Sequence, residues 1–290
     1  MERSFIMKKS LLVTLALSLV LVAAGCSNTT ENTTEEVTTE VEDATEAVEE
    51  DATEAEDAAE ADAEADAENA DTVATEGVMS YADYVAADVD TEVCVETYVQ
   101  AKQGWWEDNG VGQATFYTQN QDGAFFIYNM PCSQEDYDKL VPGTKIKVTG
   151  FKSEWSGEVE IVDATYEIED TDTFIAEAKD VTDLLGKDEL IDSQNQFVSF
   201  KGMTVEAAND NGDAFLYKWD GSGTEGDDLY FNVSLDGNTY SFTVESYLCD
   251  KDSDVYKAVQ NLKVGDVVDM EGFLYWYEGV NPHITSVTVQ

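Results

Sequence analysis

The chain has 290 residues, with 62 acidic and 15 basic side chains, one histidine, four cysteines and a formal charge of -47. So acidic a surface argues against nucleic acid as a partner, because that affinity comes largely from Lys and Arg neutralising phosphates. One histidine without a close cysteine pair excludes the common zinc patterns.

Lys8 and Lys9 precede an uncharged apolar run, Leu11 to Ala24, of secretory-signal length and too short to span a bilayer comfortably. Residues 1–25 therefore read as a signal segment, with Met7-Lys8-Lys9 as the more usual beginning. The run closes on Val22-Ala23-Ala24-Gly25-Cys26, which resembles the lipobox of bacterial lipoproteins. That resemblance implies lipidation of Cys26, a membrane anchor and display at the cell surface. Ala23 stands where leucine is commoner.

Residues 26–77 form an acidic tether. From Ser27 to Gly77 there are 20 Asp or Glu and no Lys, Arg or aromatic residue, so the segment lacks the means to bury a core. Its 51 residues would span roughly 40 Å as a neutral flexible coil, and self-repulsion lengthens that. Setting aside Glu2 and the tether's 20 acidic residues, and Arg3, Lys8 and Lys9, leaves 41 acidic against 12 basic residues in the remaining 213. That length suits two domains of about 100 residues.

The first domain, 78–170, opens with strand-like runs at Glu92–Gln100, Ala114–Gln119 and Ala124–Met130. Ser133, three residues before Asp136, caps a helix carrying Tyr137, Leu140 and Val141, which Pro142-Gly143 ends. Ile146, Val148 and Phe151 then alternate with polar residues, Gly150 marks a bulge or bend, and Glu158 to Ile168 form a last strand. A partly helical connector, 171–192, leads to a second domain, 193–290, with the same order. Its runs are Phe197–Val205, Leu229–Leu235 and Thr239–Tyr247, then a helix capped by Ser253, then Val267–Gly272 and a final strand. Each unit reads strand, strand, strand, helix, strand, strand.

That order resembles the OB-fold, a five-stranded Greek-key barrel that binds oligonucleotides or oligosaccharides in many members. The fold class is mainly β: two tandem OB-fold-like five-stranded barrels after a disordered acidic linker. Ser80–Tyr84, Leu140 to Gly150 and Gly157–Ile161 carry a resemblance to tandem modules of extracytoplasmic lipoproteins from Gram-positive anaerobes, related to modules that accompany secreted nucleases. These fragments determine fold, and they transfer no functional residue. The second copy lacks the Gly-Glu-Val-Glu-Ile turn and strand, which puts its ligand face in doubt.

In an OB-fold the face of strands two and three, with the loops after strands one and four, is the usual ligand surface. Trp105, Trp106, Phe126, Tyr128 and Trp155 of the first copy fall there, with Trp219 and Trp276 of the second. Trp105 and Trp155 are expected to flank one groove. Aromatic faces stack on sugars or bases without positive charge. The other reading of the same residues is a core, or an interface between the copies. No GxSxG, Walker or GxGxxG motif is present, and acidic pairs are too numerous for a glycosidase pair to stand out, so no catalysis and no cofactor are implied. Calcium has oxygen-rich turns at Asn209–Asp213 and Asp220–Gly223 but no EF-hand spacing.

Lys145, Lys147 and Lys152 read as solubility residues of an exposed strand, and His283 as a surface or barrel-mouth residue. Cys132 and Cys249 occupy equivalent places before the helices, and a Cys94–Cys132 bridge stays open. The expected ligand is a neutral glycan, peptide or protein partner. The alternatives are nucleic acid, as a nuclease accessory, and an assembly role without a small ligand.

Overall fold

The computed structural model describes residues 77–290. The expectations for the signal segment, Cys26 and the tether fall on residues 1–77, outside the described residues except for Gly77.

The first barrel starts with α1 (Tyr81–Ala86), begun by Ser80, whose hydroxyl accepts from the Asp83 N–H at 3.1 Å. There follow β1 (Glu92–Lys102), β2 (Trp106–Asp108), β3 (Val111–Gln119), β4 (Ala124–Pro131), α2 (Gln134–Lys139), β5 (Thr144–Trp155) and β6 (Glu158–Thr173). Antiparallel ladders join β1 to β3 and β5, β3 to β4, and β5 to β6, while β4 and β6 pair in parallel. These five pairings close a ring in OB order, with α2 between the third and fourth strands. Val95, Phe116, Ile127, Leu140, Ile146 and Ile161 fill it.

The connector carries β7 (Lys179–Asp180) and two 3-10 turns, Thr182–Leu184 and Asp188–Ser193. Next come β8 (Phe197–Glu206), β9 (Leu216–Tyr217), β10 (Leu229–Leu235), β11 (Asn238–Val244), α3 (Asp254–Gln260), β12 (Val267–Phe273) and β13 (His283–Val289). β8 pairs with β10 and β12, β10 with β11, β12 with β13, and Thr243 of β11 lies parallel to His283 of β13. The same ring closes a second time, around Phe200, Phe231, Phe242, Tyr256, Met270 and Ile284. Ser133 and Ser253 cap their helices as their sequence positions predict.

Gly150 and Gly272 mark equivalent bulges. A Cβ on Gly150 would lie 2.7 Å from Ile161 Cγ2, and one on Gly272 would lie 2.2 Å from the His283 carbonyl oxygen. The β5–β6 register shifts between Thr149 and Phe151, and the β12–β13 register between Glu271 and Gly272. The Gly150 bulge reverses the facing that the alternation of Ile146, Val148 and Phe151 predicts. Beyond the bulge Phe151 turns outward, 42% exposed, and Lys152 turns inward, 7% exposed.

The Lys152 ammonium donates to the carbonyls of Tyr84, Val85 and Ala87 at 3.0, 2.9 and 2.7 Å, and so caps the end of α1. Lys145 is no solubility residue either, since it sits half-buried between Glu96 and Glu169 at 3.0 and 3.2 Å. Burial pulls its pKa down, but hydrogen bonds to those two carboxylates raise it overall. Cys94, Cys132 and Cys249 are free thiols, so the Cys94–Cys132 bridge is not formed.

The two barrels share a third aromatic cluster, Tyr117 and Phe126 of the first against Phe273 and Tyr275 of the second. Each is 6% exposed or less. At about 1.5–3 kcal/mol per fully buried aromatic, the four bring an upper bound of roughly 6–12 kcal/mol to the junction. Polar contacts fix its register: Phe197 N–H to Gln119 Oε1 at 2.8 Å, Gly104 N–H to the Tyr247 carbonyl at 2.9 Å, and Gln103 Nε2 to Glu245 at 3.2 Å. His283 belongs to this junction and not to the surface. It is 6% exposed, stacks on Tyr275 with centroids 4.2 Å apart, and its Nδ1 lies 2.6 Å from the Tyr117 hydroxyl.

Candidate binding groove on the second barrel

The outward face of strands two and three meets opposite fates in the two barrels. In the first, Tyr117 of β3 and Phe126 of β4 lie under Phe273 and Tyr275. Phe126, 2% exposed, is therefore not on an open face, and Tyr128 lies half-buried at the margin of the same cluster. Trp105 packs on the first barrel's core, its indole N–H donating to the Cys132 carbonyl at 3.0 Å, while Trp155 stands against Tyr277 with centroids 4.9 Å apart. Both rings are thus engaged in packing, and neither belongs to the lining of the second barrel's groove. Trp106 is exposed on the β2–β3 hairpin, and Trp276 packs half-buried on the second core.

In the second barrel the corresponding face is open. A groove of about 280 Å³ runs over Tyr230 and Asn232 of β10 and Ser241 of β11. The segment between β8 and β10 contributes Ala208, Leu216 of β9 and Trp219, and the loop after β12 contributes Tyr277, Val280 and Asn281. Of the seven aromatics singled out in the sequence, only Trp219 lines it. The doubt about the second copy's face is resolved in reverse, since the second copy keeps an open face and the first has lost its own.

Alternation builds this floor. Leu229, Phe231 and Val233 of β10 point into the core, which turns Tyr230 and Asn232 outward. Phe242 and Val244 of β11 do the same and leave Ser241 outside. Trp219, 65% exposed, stands in a turn that Asp220 organises by accepting from the Ser222 N–H and hydroxyl at 3.0 and 2.7 Å. Sequence reasoning followed aromatics alone and passed over Asn232, Ser241 and Asn281. The signal for the first two was the period-two pattern of Leu229 to Val233.

Chemically the lining is aromatic and amide-bearing, and no lysine or arginine belongs to it. Asn232 donates from its amide to the Ala207 carbonyl at 3.1 Å, and Asn281 accepts from the Thr243 hydroxyl at 2.8 Å. Asn232 thus keeps an acceptor, and Asn281 keeps its NH2 donors, for a ligand. The Tyr230 phenol is pushed up to about 12, by burial first and then by Asp228 and Glu245, so at neutral pH it is uncharged and able to donate. The nearest cation in sequence, Lys218, leans toward Asp227 at 3.7 Å. No histidine, cysteine or carboxylate lines the groove, and no cluster of metal-ligating side chains occurs among the described residues.

No family model and no curated protein matches the sequence. Solved structures with some likeness include a murine DNA binding protein bound with double-stranded DNA, 10% identical at a TM-score of 0.33 over 68% of this chain and 94% of that one. Another is the p204 HINb domain, 12% identical at 0.33 over 70% of this chain and 100% of that one. A third is a replication protein A heterotrimer bound to single-stranded DNA, 11% identical at 0.28 over 69% of this chain and 49% of that one. Likeness at these scores carries no argument about this chain's ligand, and the OB-fold assignment stands on the strand pairings.

Proposed function

We propose that this chain is a non-catalytic binding protein, anchored by lipid outside the cytoplasm, that takes a neutral glycan-type ligand on the open face of its second barrel. One observation carries the reading of the site. Trp219, Tyr230 and Tyr277 offer aromatic faces beside the amide and hydroxyl groups of Asn232, Ser241 and Asn281, with no cation in the lining. Aromatic faces cover the C–H surface of a sugar ring while amides and hydroxyls meet its hydroxyls. The lipid anchor is supported by Val22–Cys26 after the apolar run. Replacing Cys26 by serine and finding the protein unchanged in the membrane fraction would remove it.

The test of the site is tryptophan fluorescence of the protein titrated with neutral oligosaccharides, β-linked glucose and N-acetylglucosamine oligomers, at low and moderate salt. A saturable response, insensitive to salt and lost in Trp219→Ala, is expected.

A second reading is single-stranded nucleic acid. It is favoured by the same three aromatic faces, on which bases stack, and by Lys218 beside Trp219. An oligo-dT response that collapses as salt rises would put this reading first. Silence to both probes would leave the assembly role, or a protein partner.

A further inference from the structure

We infer that the first barrel is a working part of the second barrel's groove: its β5–β6 hairpin, through Trp155, Ser156 and Glu158, positions the loop that carries Tyr277 and Asn281. The inference rests on reading that groove as the binding site, and it adds the determinant of the groove's shape.

The loop from Leu274 to Pro282 packs Trp276 and Val280 on the second core and ties Asn281 to the Thr243 hydroxyl at 2.8 Å, and its tip is Tyr277 to Gly279. Within it, Tyr277 N–H donates to the Gly279 carbonyl at 2.8 Å and Asn281 N–H to the Tyr275 carbonyl at 3.0 Å, and a single bridge joins Trp276 to Val280. Glu278 sits at φ 53, a left-handed conformation unfavourable for a residue with a Cβ. Such a tip, carrying one of the groove's aromatic walls beside the amide of Asn281, needs outside support to keep one shape.

That support comes from the first barrel. Glu278 N–H donates to the Ser156 carbonyl at 2.7 Å, and Trp276 N–H to Glu158 Oε2 at 2.8 Å. The Trp155 ring lies against the Tyr277 ring with centroids 4.9 Å apart and 33° between planes. Gly157 comes so close that an added Cβ would lie 2.9 Å from Trp276 Cδ1. Ser156 and Gly157, at φ 54 and 92, form the two-residue turn with both φ positive that suits a tight hairpin, and this turn aims the Ser156 carbonyl at the loop. The hairpin itself is held by Gln194, directly after the second 3-10 turn, whose Nε2 donates to the Gly157 carbonyl at 2.8 Å.

Both ends of the loop are fixed in the second barrel, by Phe273 of β12 and His283 of β13. Its tip, Tyr277 and Glu278, is met from the first barrel by the Trp155 ring and the Ser156 carbonyl. Tyr277 touches the groove on one side and Trp155 on the other, so Trp155 is a positioning residue that acts through it.

The experiment compares the full protein with Trp155→Ala and Trp155→Phe by amide hydrogen exchange and by affinity for the neutral oligosaccharide probe. Expected in Trp155→Ala is at least tenfold faster exchange at Trp276 to Asn281, with the β10 and β11 amides still protected, and at least fivefold weaker probe binding. Trp155→Phe, which keeps a ring against Tyr277, should restore both. Exchange unchanged in the loop, or raised equally throughout the second barrel, would overturn the inference, as would undiminished affinity. Should the unaltered protein bind no probe, the proposed function fails while the exchange comparison still decides whether the hairpin positions the loop. Glu158→Gln keeps an acceptor for Trp276 N–H and should leave loop exchange unchanged, so a loss there as large as in Trp155→Ala also counts against the scheme.

Discussion

Replacing Glu245 by glutamine should stabilise the protein in a pH-dependent way. Glu245 follows β11 at the junction, and its carboxyl is pushed up to about 7 from an ordinary 4.5, by burial first and then by Asp228. Hydrogen bonds from the Leu248 and Tyr247 N–H groups work against that rise without cancelling it. Asp228 lies beside it, its Oδ1 accepting from the Ser246 N–H and hydroxyl at 2.8 and 2.6 Å.

A folded-state pKa above the unfolded one means that the native protein holds this proton more tightly. The contribution to stability is fully present below the unfolded pKa and is lost as pH rises through the folded one. A displacement from 4.5 to about 7 corresponds to about 3 kcal/mol. Glutamine cannot ionise, yet it keeps an acceptor for Leu248 N–H, which Glu245 Oε2 meets at 2.9 Å. Glu245→Gln should therefore exceed the unaltered protein by about 3 kcal/mol at pH 8.5, and by less than about 1 kcal/mol at pH 5.

Urea denaturation of both proteins at pH 5, 6, 7 and 8.5 measures this, and the acidic surface, titrating alike in both, cancels in the difference. A sequence pI near 4.1 sets the lower limit for soluble work. A difference independent of pH, or an unaltered protein more stable than Glu245→Gln at pH 8.5, would refute the argument.

Lys152→Met removes the donor shared by the Tyr84, Val85 and Ala87 carbonyls and should cost about 1–3 kcal/mol in urea denaturation, with α1 amides exchanging faster. Tyr117→Phe takes the hydroxyl from His283 Nδ1 inside the junction and should cost about 1–3 kcal/mol; a loss within error would show that the pair carries no net stability. Burial holds the Cys132 thiol up at about 11 and the Cys249 thiol at about 12. Both should react slowly with a thiol reagent at pH 8 in the native protein and quickly once it is unfolded, so fast native labelling of either would contradict the burial described.

The repeat, the strand order and both helix caps were legible because each is a local pattern. Ser133 and Ser253 stand three residues ahead of the N–H groups they accept from, and Ile146 and Val148 alternate as a half-buried strand must. What lay beyond local pattern was read less well. The side of the sheet taken by Phe151 and Lys152 depended on a bulge whose position was visible at Gly150 but whose consequence was not followed past it. The fate of His283 depended on a partner 166 residues away, Tyr117, and a lone histidine carries no signal of such a partner. The groove was half legible: Trp219 stood out as an aromatic, whereas Asn232, Ser241 and Asn281 are ordinary residues until the fold sets them side by side.

The sealing of the first barrel's face, by contrast, was written into its strands. Ala114 to Thr118 is buried at every position and so is Ala124 to Ile127, whereas Leu229 to Val233 alternates between buried and half-buried. A strand covered on both faces reads as a continuous run, and one covered on a single face reads as an alternation. Phe125, Phe126 and Ile127 in succession form such a run; Leu229, Tyr230, Phe231, Asn232 and Val233 form such an alternation. Two copies of one fold thus divide the work by the outward residues of two strands. Tyr117 and Phe126 on one copy call for cover, which Phe273 and Tyr275 of the other provide. Residues 274–282 follow directly from the end of β12, and their loop lies against Trp155 because Phe273 and Tyr275 are seated in the junction. Sealing one face is therefore what brings the hairpin to the other, so the closed barrel and the open groove are consequences of a single packing choice.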